Sequence, residues 1–183
     1  MKKGRRLLMN NIQNSQPSVS VYTFLSQVQS LYSQYIQVKT QLDLLESNLN
    51  TSTIAFNTIP TQQNLLGVEN AWNQKLLLMR KLPQIVNGIV VNLVEATKMA
   101  LTSMQLSLAT NNRINIVLND NAIASICSIV EQNSQQLYIK ELYIQFCIAQ
   151  NIPMVLSSIK VSVRMNRINI PNFERLHMLI NGY

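Results

Sequence analysis

Glycine and proline are both scarce, at 4 and 5 residues in a chain of 183. So few chain-reversal residues argue against a many-stranded sandwich and for long helices. They also leave no glycine-rich loop to cradle a phosphate. Histidine occurs once, at His177 between Leu176 and Met178, where a packing or surface role is expected. The two cysteines, Cys127 and Cys147, lack metal-ligand spacing and are expected to be buried thiols. Acidic residues number 8 and are scattered, with no close pair suited to acid–base chemistry. No catalytic residue, metal site or cofactor is expected, and the chain is predicted not to be an enzyme. Residues 1–6 are basic, but no apolar core follows them, so no secretory signal is expected. The most apolar stretch, residues 85–109, is interrupted by Asn87, Asn92, Glu95 and Lys98, which predicts no transmembrane segment.

What the chain has instead is amide. It carries 22 Asn and 17 Gln, while charged residues make up only 13%. The net charge of +7 therefore comes from scarce acids rather than abundant bases. A polar, weakly charged surface suits packing against neighbours; biased base composition in the genome would produce the same enrichment.

Pro17 and Ser18 are expected to open the first helix. From Val21 a heptad runs through Phe24, Val28, Leu31, Tyr35, Val38, Leu42, Leu45 and Leu49, with Lys39 as the only base on the remaining surface. This predicts an amphipathic helix of about 30 residues or a coiled-coil seam, broken by the NTST run at 50–53. Pro60 and Thr61 precede a second helix through Leu65, Trp72, Leu76 and Met79 to Leu82. Pro83 is expected to end or kink it and to start a third, over about 84–109. Residues 114–118, INIVL, are short, apolar and β-branched, and predict a strand. Asn119 and Asp120 offer caps for a fourth helix over about 121–150. Ile159, Val161, Val163 and Met165 alternate with Lys160, Ser162, Arg164 and Asn166, which predicts a second strand. Asn172 caps a last short helix that stops at Asn181 and Gly182. The fold class expected is mainly α: long amphipathic helices with a C-terminal helical bundle, with or without a short two-stranded β element. Three regions follow: a basic arm at 1–16, long wrapping and packing helices at 17–110, and a compact lobe at 111–183.

The pentapeptide NRINI occurs twice, at 112–116 and 166–170. Two readings stand. The copies are paired short strands, each leading into a helix cap, or Arg113 and Arg167 share one face as paired phosphate contacts. Other bases cluster as Lys2, Lys3, Arg5 and Arg6, as Lys75, Arg80 and Lys81, and as Lys160, Arg164 and Arg167. Such groups on a chain poor in acids fit sequence-independent contact with a phosphate backbone. Aromatic residues are only 6%, which supports duplex binding over base stacking on single strands.

In its basic arm (MKKGRR), its long helices rich in Asn, Gln, Ser and Thr, its near-absence of glycine and its compact C-terminal part, the chain resembles the major coat proteins of filamentous archaeal viruses of the lipothrixvirus and rudivirus type. The resemblance spans the whole chain by size and organisation and has no signature motif. It implies N-terminal helices wrapped on double-stranded DNA held in A form, with the C-terminal part facing outward. Partners would be the DNA, copies of the chain and a paralogous coat subunit; some members carry a membrane envelope, which this sequence does not indicate. Lys2, Lys3, Arg5, Arg6, Lys39, Lys75, Arg80 and Lys81 would be the phosphate contacts, with Arg113, Lys160, Arg164 and Arg167 as additional candidates. The expected function is a structural virion protein that coats double-stranded DNA without sequence specificity and assembles into a helical filament in the host cytoplasm, unsecreted. The alternative is a helical scaffold that oligomerises through the seam at 21–49 and binds no nucleic acid.

Overall fold

The structure is a computed structural model and describes residues 20–132 and 137–182. It is mainly helical. The helices are α1 (Val21–Thr58), α2 (Gln62–Ala109), α3 (Arg113–Gln132), α4 (Leu137–Ala149), α5 (Ile152–Met165) and α6 (Pro171–Asn181). The expected opening at Pro17 and the basic arm at 1–16 lie outside the described residues.

The heptad of α1 has the use its spacing implies. Val21, Val28 and Val38 of it are buried, Phe24, Leu31 and Tyr35 pack against the core, and Leu42, Leu45 and Leu49 are half-buried; Leu25, outside the heptad, is buried as well. The partner is α2 running antiparallel: Glu46 meets Lys75, and a Cβ on Gly88 would come 3.1 Å from Leu31 Cδ1. Glycine at that point lets the two backbones approach. The NTST run does not end α1, which continues to Thr58. Thr51, Thr53 and Thr58 turn their hydroxyls back onto the carbonyls of Ser47, Leu49 and Ile54, at 3.0, 2.7 and 2.8 Å. Hydroxyls bonded back in this way stay within the helix at a slight cost in its stability, instead of capping a break. Reversal comes at Pro60 instead. The residue before a proline is pushed out of the helical region, and Ile59 is extended at φ −135°. Thr61 then caps α2 by accepting from the Asn64 N–H at 3.2 Å.

Pro83 does not separate two helices, as its chemistry predicted; it lies inside the 48-residue α2. Its cost is one N–H missing toward the Met79 carbonyl. Beyond it, Val86, Ile89, Val90 and Leu93 are buried, which holds the helical path. Between Val38 and Val86 only Ala71 is buried. About 20 residues of each helix, roughly 30 Å, thus leave the core as a two-helix arm.

The lobe forms where α3 to α6 and the start of α1 close around the C-terminal half of α2. Leu93, Ala96, Ala100 and Met104 of α2 are completely buried there, with Ile123, Ile126, Tyr143, Leu156, Phe173 and Leu176 from the later helices. Inside it, Thr97 Oγ1 lies 2.8 Å from the Leu93 carbonyl and 2.7 Å from Tyr143 Oη. The threonine proton goes to the carbonyl, so the tyrosine donates to the threonine. Thr97→Val is expected to cost about 1–2 kcal/mol, because it strips the acceptor from a fully buried phenol; urea unfolding measures it.

Three further expectations are corrected. First, no strand occurs among the described residues. Arg113 to Ile116 is the first turn of α3, and Ile159 to Met165 lies within α5. Of the β-branched residues there, Ile116, Ile159 and Val163 face the helical core, while Ile114, Val117 and Val161 are exposed. Second, the helix expected over about 121–150 begins earlier, as α3 from Arg113, and its later part is α4 from Leu137, with residues 133–136 outside the described residues. Third, α2 and α3 are each long and apolar enough to cross a membrane, with mean hydropathy of 1.3 and 1.2 over their most apolar 18 residues. Tyr138–Ala149 and Ile152–Met165 qualify together, although bent by 77°. Isolated polar residues such as Asn87 and Lys98 do not offset the surrounding Val, Ile and Leu. The expectation of no transmembrane segment, and the location drawn from it, therefore does not stand. In this fold, 50% of the apolar stretch of α2 and 39% of that of α3 is buried.

Candidate nucleic-acid interface

The bases expected to meet phosphate divide into those already engaged and those not. Lys75 Nζ lies 3.3 Å from Glu46 Oε1 across the arm and 5.8 Å from the centre of the Trp72 ring. Its charge is spent on holding α1 to α2. Lys160 Nζ is likewise 3.4 Å from Glu174 Oε2, tying α5 to α6. Lys39 Nζ stands 5.8 Å from the centre of the Tyr35 ring, one turn back on the exposed side of α1. Arg80 and Lys81 are exposed on the arm, and Arg113, Arg164 and Arg167 are exposed on the lobe. None of these five forms an ion pair among the described residues. Lys2, Lys3, Arg5 and Arg6 lie outside the described residues.

The two NRINI copies do come together, though not as strands. They face each other across a cavity of about 190 Å³ lined by Arg113, Ile116 and Val117 on one side and Arg167, Ile168, Asn169 and Ile170 on the other. The same five letters do opposite work. Asn112 starts a helix: its Oδ1 accepts the Asn115 N–H at 3.1 Å. Asn166 ends one: its side-chain amide donates to the Ser162 carbonyl at 2.9 Å, and Arg167 follows in the left-handed region at φ 53°. In both copies the arginine is exposed and the last isoleucine, Ile116 or Ile170, is buried. The buried isoleucines fix the two segments to the core. The arginines are left at the cavity mouth, beside the positive end of α3. Two guanidinium groups there can hold an anion such as a phosphate oxygen.

Other functional chemistry is sparse. Among the described residues no group of three His, Cys, Asp or Glu side chains is placed to hold a metal ion. Cys127 and Cys147 are fully buried and unpaired, as expected, and burial pushes both thiols up to about 12. They stay protonated and unreactive at neutral pH. His177 is half-buried on α6, its Nε2 3.2 Å from the Asn181 side-chain amide and its ring 6.4 Å from that of Phe173. Sequence reasoning missed the carboxylate pair that organises this end of the lobe. Asp120 on α3 accepts from the backbone of α6, and Glu131 on α3 accepts from Arg175 Nε at 3.1 Å. That hydrogen bond raises the Arg175 pKa further.

No protein-family model, no curated protein and no solved structure matches this chain.

Proposed function

We propose that this chain is a structural virion subunit that coats double-stranded DNA without reading its sequence and packs with copies of itself into a helical filament. The carrying observation is the two-helix arm. It exposes Leu44, Ile54, Leu66, Trp72 and Leu77 along its length. A run of apolar side chains of this extent on a polar background marks an interaction surface. Its bases are Lys39, Lys75, Arg80 and Lys81 and its acids Asp43, Glu46 and Glu69. The difference, four minus three, is +1, so arms of neighbouring subunits repel little. The excess positive charge lies elsewhere, on the basic segment at 1–6 and on the lobe arginines, where a polyanion neutralises it. The resemblance to coat proteins of filamentous archaeal viruses makes duplex DNA the polyanion of choice.

The scaffold alternative draws on the seam at 21–49. In the fold this seam packs on α2, so a partner using it would have to displace α2. That favours contacts through the outer surface of the arm. Electron microscopy of the purified protein with and without duplex DNA, before and after nuclease, tests the proposal. Filaments of uniform width that require DNA and protect it are expected. Discrete particles indifferent to DNA would leave the scaffold reading, and recovery only with detergent or lipid would point to α2 and α3 serving a bilayer.

A further inference from the structure

The α2 face that sequence spacing picks out is not the one turned to α1. Val68, Ala71, Lys75, Leu78 and Leu82 are the shielded positions of this part of the helix. Leu65, Trp72, Leu76 and Met79 remain 40, 49, 37 and 49% exposed. Their spacings of seven, four and three residues are those of a coiled-coil seam. Two charges flank the same stripe. Glu69 and Arg80 are eleven residues apart, three turns or about 16 Å along the axis. Both are exposed, and neither makes an ion pair among the described residues.

We infer that this stripe receives the same stripe of a second copy of the chain, antiparallel, about a two-fold axis between Trp72 and Leu76. Charge selects both occupant and direction. In the antiparallel register Trp72 of one copy packs on Leu76 of the other, and Glu69 falls beside Met79 and Arg80, twice by symmetry. A parallel copy would set Glu69 against Glu69 and Arg80 against Arg80, which is repulsive. The stripe is thus complementary to itself in one direction only. An apolar seam with one charge of each sign at its ends gives register as well as affinity. The arm carries the contact clear of the lobe, so two lobes end on opposite sides of the paired arms.

The inference rests on the self-packing part of the proposed function and deepens it. Its test uses the full chain without nucleic acid, so its failure is read separately from a failure to coat DNA. Trp72 is the only tryptophan, so intrinsic fluorescence reports on the stripe alone. As protein concentration rises, emission should shift to the blue and acrylamide quenching should fall, in step with dimer formation by sedimentation. Glu69→Arg and Arg80→Glu, each turning two attractive contacts into repulsive ones, should weaken the dimer about tenfold or more. The double swap should restore it. Circular dichroism checks that each variant keeps its helix content, which substitutions at exposed positions outside the core should preserve. A monomer at all concentrations with unchanging Trp72 emission overturns the inference. So does a double swap as weak as the single ones, and so does shielding of Trp72 by neutral lipid vesicles but not by the protein itself.

Discussion

Asp120→Ala should lower the stability of the fold by about 3 kcal/mol, more than a hundredfold in the folding equilibrium. Helix α6 begins at Pro171, and the residue before it, Ile170, has no side chain able to cap. The proline lacks an N–H, so the next free donors are those of Asn172 and Phe173. Asp120, 5% exposed on α3, takes both: Oδ1 accepts from Phe173 N at 2.8 Å and Oδ2 from Asn172 N at 3.3 Å. Oδ2 also accepts from the Asn172 side-chain amide at 3.0 Å. This is an N-cap supplied from 52 residues away, with a full negative charge at the positive end of a helix dipole. Alanine leaves two buried or half-buried N–H groups without partners and loosens Phe173 and Leu176 from the core. Asp120→Asn keeps one acceptor oxygen and should lose about half as much. Urea unfolding followed by circular dichroism measures both, and thermal unfolding should show a fall in Tm of about 6–12 °C for Asp120→Ala. Arg175→Ala, which breaks only a partly exposed pair with Glu131, should cost less than about 1 kcal/mol. Equal losses from the two would refute the capping account.

Affinity for duplex DNA should fall about 10³-fold between 50 and 200 mM salt, with no preference among sequences, if six or more phosphates are neutralised. The structure separates bases that can contribute from bases that are occupied. Arg113→Gln with Arg167→Gln removes two unpaired charges at one cavity and should reduce the slope of log affinity against log salt by about 2. Lys75→Gln with Lys160→Gln removes the same formal charge but from groups already bound to Glu46 and Glu174. That pair should leave the slope almost unchanged. Fluorescence anisotropy with a labelled duplex, titrated at four or five salt concentrations, gives both slopes. A salt-independent affinity, or equal slopes for the two double variants, would remove the phosphate-contact account of the NRINI cavity.

The seam of α1 was legible because nothing but apolar residues occupies it. The helices read as strands failed for two identifiable reasons. In α5 the alternation from Ile159 to Met165 is real, but Val161 and Met165 are 58 and 79% exposed. The buried set is Ile152, Leu156, Ile159 and Val163, a four–three–four helical spacing that begins ahead of the alternating stretch. In α3 one buried row runs Ile116, Asp120, Ile123, Cys127 and Val130, with Ala122 and Ile126 buried beside it. A carboxylate stands in the second place of the heptad, so the pattern looks interrupted. Its reason for being there is α6, which sequence order places far away. The continuity of α2 through Pro83 was hidden similarly, since local chemistry argues for a break and tertiary packing overrides it. At the candidate interface the residue types were visible, but not which lysines were already paired. The meeting of the two NRINI copies depends on α3 and α6 packing together, which no local pattern encodes.

Pro83 stands close to the point where the arm leaves the lobe. The carbonyl of Met79 has no helical donor there, and the nearest buried side chain toward the tip on α2 is Ala71, twelve residues away. Mechanically, α2 is a lever with its most compliant point at the fulcrum. A small change in arm angle at that point leaves the lobe core intact, provided that α1, which runs unbroken from Val21 to Thr58, bends with α2. A subunit of the proposed filament would then meet neighbours along straight and curved stretches without a second conformation of its core.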